Sequence, residues 1–518
     1  MTPASLLSVL LDGDNLTLAA VYQVALDGGK VELALEARAR MEASCAVVRR
    51  LVASGATAYG INTGFGAMAR VRISGDQIHQ LQLNLVRSHA CGVGEPLSIP
   101  ETRAMMLLRA NTLAKGYSGA RTLVAETLCS MLNRGLHPVI PSQGSVGASG
   151  DLAPLAHLAI VAIGEGEAVF GGERMAGGEA MSRAGIMPLA LEAKEGLALL
   201  NGTQAMSALL ALAVREAEIL AETADVAAAL SLDALRGSTA AFDERIQRVR
   251  PHPGQIASAR NLRQLNAGSE IRESHRDPAA DLRVQDAYSL RCTPQVHGAV
   301  RDAVTQARAI LEIEINSATD NPLVFASDAD GAGEILSGGN FHGQPVAIAA
   351  DHLAIALASL AGISERRTEH MTNPHTSGLP AFLTADAGLN SGFMIAHVTA
   401  AALASELKAL AAPHSVDSIS TSGNQEDYVS MGMSAARRLA PMLRDARYVL
   451  AIELLAACQG LDFLAPLQTG IEARKAYAVI RSVSPRVTAD RALAPDIAAI
   501  AQLVADAQFS LVPSPPKN

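Results

Sequence analysis

The sequence has no tryptophan, and aromatic residues make up only 3% of its 518 positions. Sheet cores lean on aromatic and β-branched side chains. Their scarcity, with 49% of residues apolar and many of them Ala or Leu, weighs against a sandwich or barrel and favours helices. Cysteine is also rare. Cys45, Cys91, Cys129, Cys292 and Cys458 are odd in number, far apart and form no CxxC. That argues against a disulfide framework or a zinc site and for a reducing compartment, with no metal expected. No long basic run occurs, the net charge is −9 and the pI is about 5.8, so nucleic-acid binding has no support. The N-terminal MTPASLLSVLLDGDN lacks a basic n-region, and its apolar run is short for a secretion signal. The apolar stretch 346–363 contains Asp351 and His352, which fits a buried helix better than a membrane span. A soluble cytoplasmic protein of about two to four domains is expected, with neither nucleic acid nor membrane as partner.

The chain is organised around PSQGSVGASGDLAPLAHL, residues 141–158. A Gly/Ser-rich run between apolar segments is ordinarily a loop. This one opens directly into an apolar helical stretch, so its backbone N–H groups can face an anionic centre. Its central tripeptide, Ala148-Ser149-Gly150, also has the makings of a self-made electrophile. The unhindered Gly150 nitrogen can attack the Ala148 carbonyl carbon and close a five-membered ring. Loss of the Ser149 hydroxyl as water then leaves an electron-poor exocyclic alkene. GSVGASGDLAPLAH resembles the prosthetic-group loop of the histidine and aromatic amino-acid ammonia-lyases, in which these three residues cyclise to 4-methylidene-imidazol-5-one (MIO). Other motifs of that family recur in order along nearly the whole chain.

AYGINTGFGAMARVRI, residues 58–73, packs Gly60, Gly64 and Gly66 close together, which predicts a shaped loop and not a helix. Tyr59 within it is a candidate general base, provided that positive or hydrogen-bonding neighbours lower its pKa. The loop resembles the inner lid of the family, whose tyrosine takes the β-proton, and Asn62 is the variant typical of its histidine-specific members. In LQLNLVRSHACGVGEPL, residues 81–97, a histidine on an apolar segment reads by itself as core. The resemblance instead places Ser88 and His89 at the pair that sets side-chain selectivity. Asn201 of LALLNGTQ reads as a helix cap, and by resemblance as the residue that orients electrophile and substrate.

QDAYSLRCTPQ spaces Tyr288 and Arg291 three apart, so one helical turn puts both on one face. An arginine fork suits a planar carboxylate such as that of an amino acid. The resemblance makes Arg291 the carboxylate clamp, puts Gln285 and Tyr288 in the same pocket with Tyr288 supporting the cofactor and proton relay, and sets Phe341 near the cofactor. Gln425-Glu426 can start a helix. In the family the position of Glu426 separates histidine lyases, which have Glu, from phenylalanine and tyrosine lyases, which usually have Gln. There are departures: Tyr428 stands where His is usual, SISTS where SIPTS is common, and SGLPAFL where SGLPPFL is common.

The resemblance implies a mainly α MIO-lyase fold, with an N-terminal cofactor-bearing domain at 1–205, a long helical bundle at 206–510 and a flexible tail at 511–518. It implies a homotetramer whose active sites combine residues from three chains. The implied reaction converts L-histidine to trans-urocanate and ammonia. A phenylalanine or tyrosine lyase, an aminomutase of the same fold and a non-catalytic helical scaffold are the alternatives.

Overall fold

The computed structural model describes residues 8–64, 66–277, 283–327 and 333–511. Apart from Leu511, the predicted tail lies outside them. The fold is mainly α. Strands among the described residues are confined to four small sheets, of which the three-stranded one holds the hairpin Glu167–Phe170 and Glu173–Ala176. That hairpin lies in the Gly-rich segment that follows helix Leu152–Ala162. The parallel pairing of Val9–Leu11 with Val31–Leu33 is not foreshadowed by any run long enough to read as a strand.

The described chain clusters into two compact units, neither of them one contiguous stretch. The first comprises residues 1–212, 307–351 and 413–437. At its centre runs the helix Ile99–Ala114, buried without interruption from Thr102 onward. Ser98 and Glu101 close a capping box at its start and a proline follows the cap, so two otherwise unpaired N–H groups are satisfied locally. Helices Leu18–Leu26, Leu35–Ser54 and Thr122–Arg134 pack around it. A second cluster joins Ile78–His89, Leu152–Ala162 and Glu195–Leu200, each packed on the other two.

The second unit comprises residues 213–306, 352–412 and 438–518. Its core is helix Leu439–Asp462, packed by Met394–Leu410, Ile471–Val483 and Ala494–Ala505. The stretch 429–464 holds two helices, Gly432–Arg437 and Leu439–Asp462. Pro441 explains the break, since it lacks the N–H that would bond back to Arg437. The apolar stretch 346–363 lies in helix Gln344–Thr372, which is long and apolar enough to cross a membrane, yet 61% of its most apolar window is packed inside the protein. Among the described residues the five cysteines are unbridged and no cluster of metal-ligating side chains occurs.

Candidate active site

Three helix ends meet in the first unit. His89 is the last residue of Ile78–His89, Asn201 follows the last residue of Glu195–Leu200, and Asp151 precedes Leu152–Ala162. Because the three helices pack on one another, they bring the 148–151 segment against both other ends. Asn201 is therefore a cap, but at a helix C-terminus: its backbone N–H bonds Leu197 and its side chain is left for other work. Asn201 Nδ2 donates to Ser149 Oγ at 2.7 Å, while its buried Oδ1 has no partner.

The tripeptide is held in an uncommon shape. Ser149 has φ 52°, a left-handed conformation that costs a non-glycine residue on the order of 1–3 kcal/mol. Gly150 has φ 77°, and a Cβ there would sit 2.2 Å from the Gly202 carbonyl oxygen, so only glycine fits. Asp151 is fully buried; it accepts from Met206 N–H at 2.8 Å and Ser145 Oγ at 3.1 Å, and its own N–H donates to Gly202 at 2.7 Å. Burial pushes its carboxyl up to about 7 against these hydrogen bonds. The donor set fits the implied MIO group. The tripeptide is present, strained and backed by a turn that admits no Cβ at Gly150, and the orphaned Asn201 Oδ1 is aimed at nothing in the protein.

A cavity of about 240 Å³ lies beside this segment, lined by Ser88, His89, Ala148, Gly150, Leu152 and Thr421 among others. His89 Nδ1 bonds the Leu85 carbonyl at 2.8 Å. A carbonyl only accepts, so Nδ1 carries the proton and Nε2 offers a lone pair. Burial lowers the His89 pKa, which keeps the ring neutral, with Glu426 working the other way. Thr421 Oγ1 donates to Glu426 Oε2 at 2.8 Å and fixes that carboxylate. The lid bears on the same segment: Ala67 N–H donates to Ser422 Oγ at 3.2 Å.

Tyr59 Oη accepts from the Gly66 N–H at 3.5 Å. The lowered phenol pKa that would suit a base is not what one chain provides. Burial raises it, Glu426 raises it further, and the Gly66 N–H opposes them. Asn62, flagged as a mark of histidine-specific relatives, points away from the 240 Å³ cavity's lining and into the lid backbone. Its Oδ1 accepts from Ala58 N–H at 2.9 Å and its Nδ2 donates to the Ala56 carbonyl at 2.8 Å. These two bonds bracket the turn that carries Tyr59.

The predicted residues thus fall into two sets. Tyr59, Ser88, His89, Ala148, Ser149, Gly150, Asn201, Phe341 and Glu426 belong to the first unit, and Gln285, Tyr288 and Arg291 to the second. Ser149 touches Asn201, and Glu426 is close enough to shift both Tyr59 and His89. Phe341 is half-buried. In the second unit, Tyr288–Arg291 forms the expected single helical turn, with the guanidinium carbon 4.5 Å from the Tyr288 ring centroid. Tyr288 is 70% exposed and Gln285 is exposed too. Tyr428, the departure from the family pattern, is exposed and stacks on His342 with ring centroids 6.0 Å apart. Sequence reasoning missed Asp151 and Arg109 as parts of the site. The available signal was a charge set against apolar sequence, Asp151 ahead of Leu152–Ala162 and Arg109 after the run Met105–Leu108.

The profile of aromatic amino acid lyases matches residues 16–482. Histidine ammonia-lyase from Koribacter versatilis is 58% identical over 503 residues, covering 95% of this chain and 97% of the relative. Among solved structures, histidine ammonia-lyase from Trypanosoma cruzi superposes with a TM-score of 0.89 at 45% identity, covering 97% of this chain and 94% of that one. Tyrosine aminomutase from Streptomyces globisporus superposes with a TM-score of 0.91 at 39% identity, covering 97% and 98%. Backbone shape therefore does not separate these activities.

Proposed function

The chain belongs to the aromatic amino acid lyase family, and from that premise we propose that it eliminates ammonia from L-histidine to give trans-urocanate. The observation that carries the substrate is a pair of acceptors, His89 on the cavity lining and Glu426 near enough to act on it. His89 presents the lone pair of Nε2, and Glu426 presents a carboxylate held by Thr421. A neutral imidazole ring offers one N–H to such acceptors, and a protonated one offers two. A phenyl ring offers none and would leave the Nε2 lone pair and the free Glu426 oxygen without a donor from the substrate. The curated relatives named histidine ammonia-lyase at 51–58% identity support the same substrate.

Ala148, Ser149 and Gly150 would form the MIO group, which supplies an electron-poor alkene able to take the substrate amine and turn it into a leaving group. Asn201 holds the Ser149 side chain in place. Arg291 binds the substrate carboxylate as a fork, with Tyr288 and Gln285 beside it. Tyr59 removes the β-proton, and the ring's seat between His89 and Glu426 directs that C–H bond toward it. A phenol raised by burial and by Glu426 is a poor base in the isolated chain. The assignment therefore requires a cation near Tyr59 in the assembled enzyme. The exposed Tyr288 and Gln285 fit the family's shared sites, in which Arg291 of one chain serves the Ser149 segment of another within a cytoplasmic homotetramer.

The test is to mix the purified protein with L-histidine, L-phenylalanine and L-tyrosine separately and follow the ultraviolet absorbance of each conjugated product. Urocanate from histidine alone is expected. Glu426→Gln should lower histidine turnover and raise that of phenylalanine. Cinnamate or coumarate from the unmodified protein would overturn the substrate assignment.

A further inference from the structure

We propose that Arg109 is the positioning residue that lets Ala148-Ser149-Gly150 close into its ring, by holding the 201–204 turn against which the tripeptide is seated. The inference rests on the MIO reading above and deepens it. Arg109 is fully buried on helix Ile99–Ala114. Its Nη1 donates to the Asn201 carbonyl at 2.6 Å and to Gln204 Oε1 at 2.9 Å. Gln204 Nε2 in turn donates to Thr112 Oγ1 at 3.0 Å and Thr319 Oγ1 at 2.7 Å. Gly202 has φ 148°, and a Cβ there would lie 2.8 Å from Arg109 Nη1, so the guanidinium fills the space beneath the turn.

Contacts with the tripeptide and its neighbour hang from the other side of that turn. Asn201 Nδ2 bonds Ser149 Oγ, Gly202 pairs with Gly150 as an isolated bridge and accepts from the Asp151 N–H, and Met206 N–H bonds the Asp151 carboxyl. Arg109 thus connects this platform to the central helix of the unit.

Stability alone is a poor reason for a guanidinium here. Arg109 Nε and Nη2 are buried without partners. Unpaired buried donors are destabilising, and an apolar side chain of similar volume would avoid that cost. The benefit is geometric. In the closure, the Gly150 nitrogen bonds to the Ala148 carbonyl carbon. The carbonyl oxygen leaves as water with the Gly150 and Ser149 amide hydrogens, and the Ser149 hydroxyl leaves as a second water with the Ser149 Cα hydrogen. No oxidant or reductant is needed. What the step needs is a backbone nitrogen held against a carbonyl two residues earlier, and small misplacements of reacting atoms slow such steps on the order of a hundredfold.

The readout is the intact mass of the purified, folded chain, which does not depend on turnover. The unmutated protein should be lighter than its sequence by two water molecules; a mass equal to the sequence would end the MIO reading itself. Arg109→Met should be recovered mainly at the unmodified mass. Arg103→Met is the control. Arg103 is also buried in helix Ile99–Ala114 but bonds Val24 and Leu132, away from the turn, and its variant should be fully modified. Full modification of Arg109→Met, or equal loss in both variants, would overturn the proposal. If Arg109→Met does not fold, Arg109→Lys decides. It keeps the charge and loses the fork, so depletion supports the proposal and complete modification overturns it.

Discussion

Asp151, beside the Ser149 segment in the first unit, and Asp225, in the helical core of the second, are both 0% exposed, yet the first carboxyl is pushed up to about 7 and the second lies at about 2. Burial raises both. Asp225 recovers because His297 Nδ1 donates to it at 2.8 Å, the Arg301 guanidinium lies at 2.5 Å, and Ser258 and Asn261 complete its shell. Beyond it, Arg367 and Glu453 form a second fully buried pair that Ser231 joins. Asp151 has hydrogen-bond donors that lower its carboxyl, while the nearby charge of Glu314 raises it further. Around it lie a left-handed serine, an orphaned amide oxygen and an arginine with two idle N–H groups. The Asp225 carboxylate is met by charged and neutral donors on both oxygens, whereas the groups around Ser149 leave an amide oxygen and guanidinium nitrogens open beside the reacting segment.

The strongest way to break this comparison is Ser149→Ala. It leaves the segment without its alkene and disturbs little packing, so thermal stability should shift by about 1 kcal/mol or less. Turnover of histidine should fall on the order of a thousandfold or more. A variant with near-normal turnover would show that the strained segment is not the reacting group. Glu453→Ala should do the opposite. It leaves Arg367 buried and unpaired, so denaturant unfolding should show a loss of about 3–5 kcal/mol. Replacing the pair together, Arg367→Met with Glu453→Leu, should recover most of that, because the penalty belongs to the unpaired charge.

The two aspartates also predict opposite pH limbs. The folded Asp225 carboxyl is depressed from 3.8 to about 2, so its contribution, on the order of 2 kcal/mol, is present above pH 3.8 and is lost as pH falls toward 2. The folded Asp151 carboxyl is raised from 3.8 to about 7. Its contribution, on the order of 4 kcal/mol, is full below pH 3.8 and is lost as pH rises toward 7. Unfolding free energies of Asp225→Asn and Asp151→Asn, each referred to the unmutated chain across pH 2–8, should diverge on opposite sides of pH 4. Parallel profiles would mean that one aspartate has been assigned the wrong surroundings.

How much of this was legible in the sequence follows the same division. Long helices announced themselves through length and apolar content, and the Ser149 loop through three residue types in one order. The turn Tyr288–Arg291 followed from spacing alone. The break at Arg438 is readable from Pro441. What could not be read were the roles of residues that act through distant partners. Arg109 and Gln204 are 95 positions apart, and Asp225 and His297 are 72 apart. Single-sequence patterns carry no record of such pairs. The same holds for the pKa of Tyr59, since burial and the approach of Glu426 are products of folding.

Asn62 sharpens the comparison at its smallest scale, because it is a polar residue in the site region with both side-chain groups bonded. It is 4% exposed, and its bonds to Ala58 and Ala56 close the turn around Tyr59. Asn62→Thr shortens the side chain and leaves one hydroxyl where an amide made two bonds. If the amide positions the base, kcat should fall roughly tenfold or less while KM for histidine barely moves. Proton removal should then limit turnover more strongly, so the isotope effect with β-deuterated histidine should rise. A loss of stability with an unchanged isotope effect would reduce Asn62 to a structural staple. A rise in KM with new turnover of phenylalanine would make it a substrate contact, and would place it with the open polar groups of the site and not with the satisfied ones.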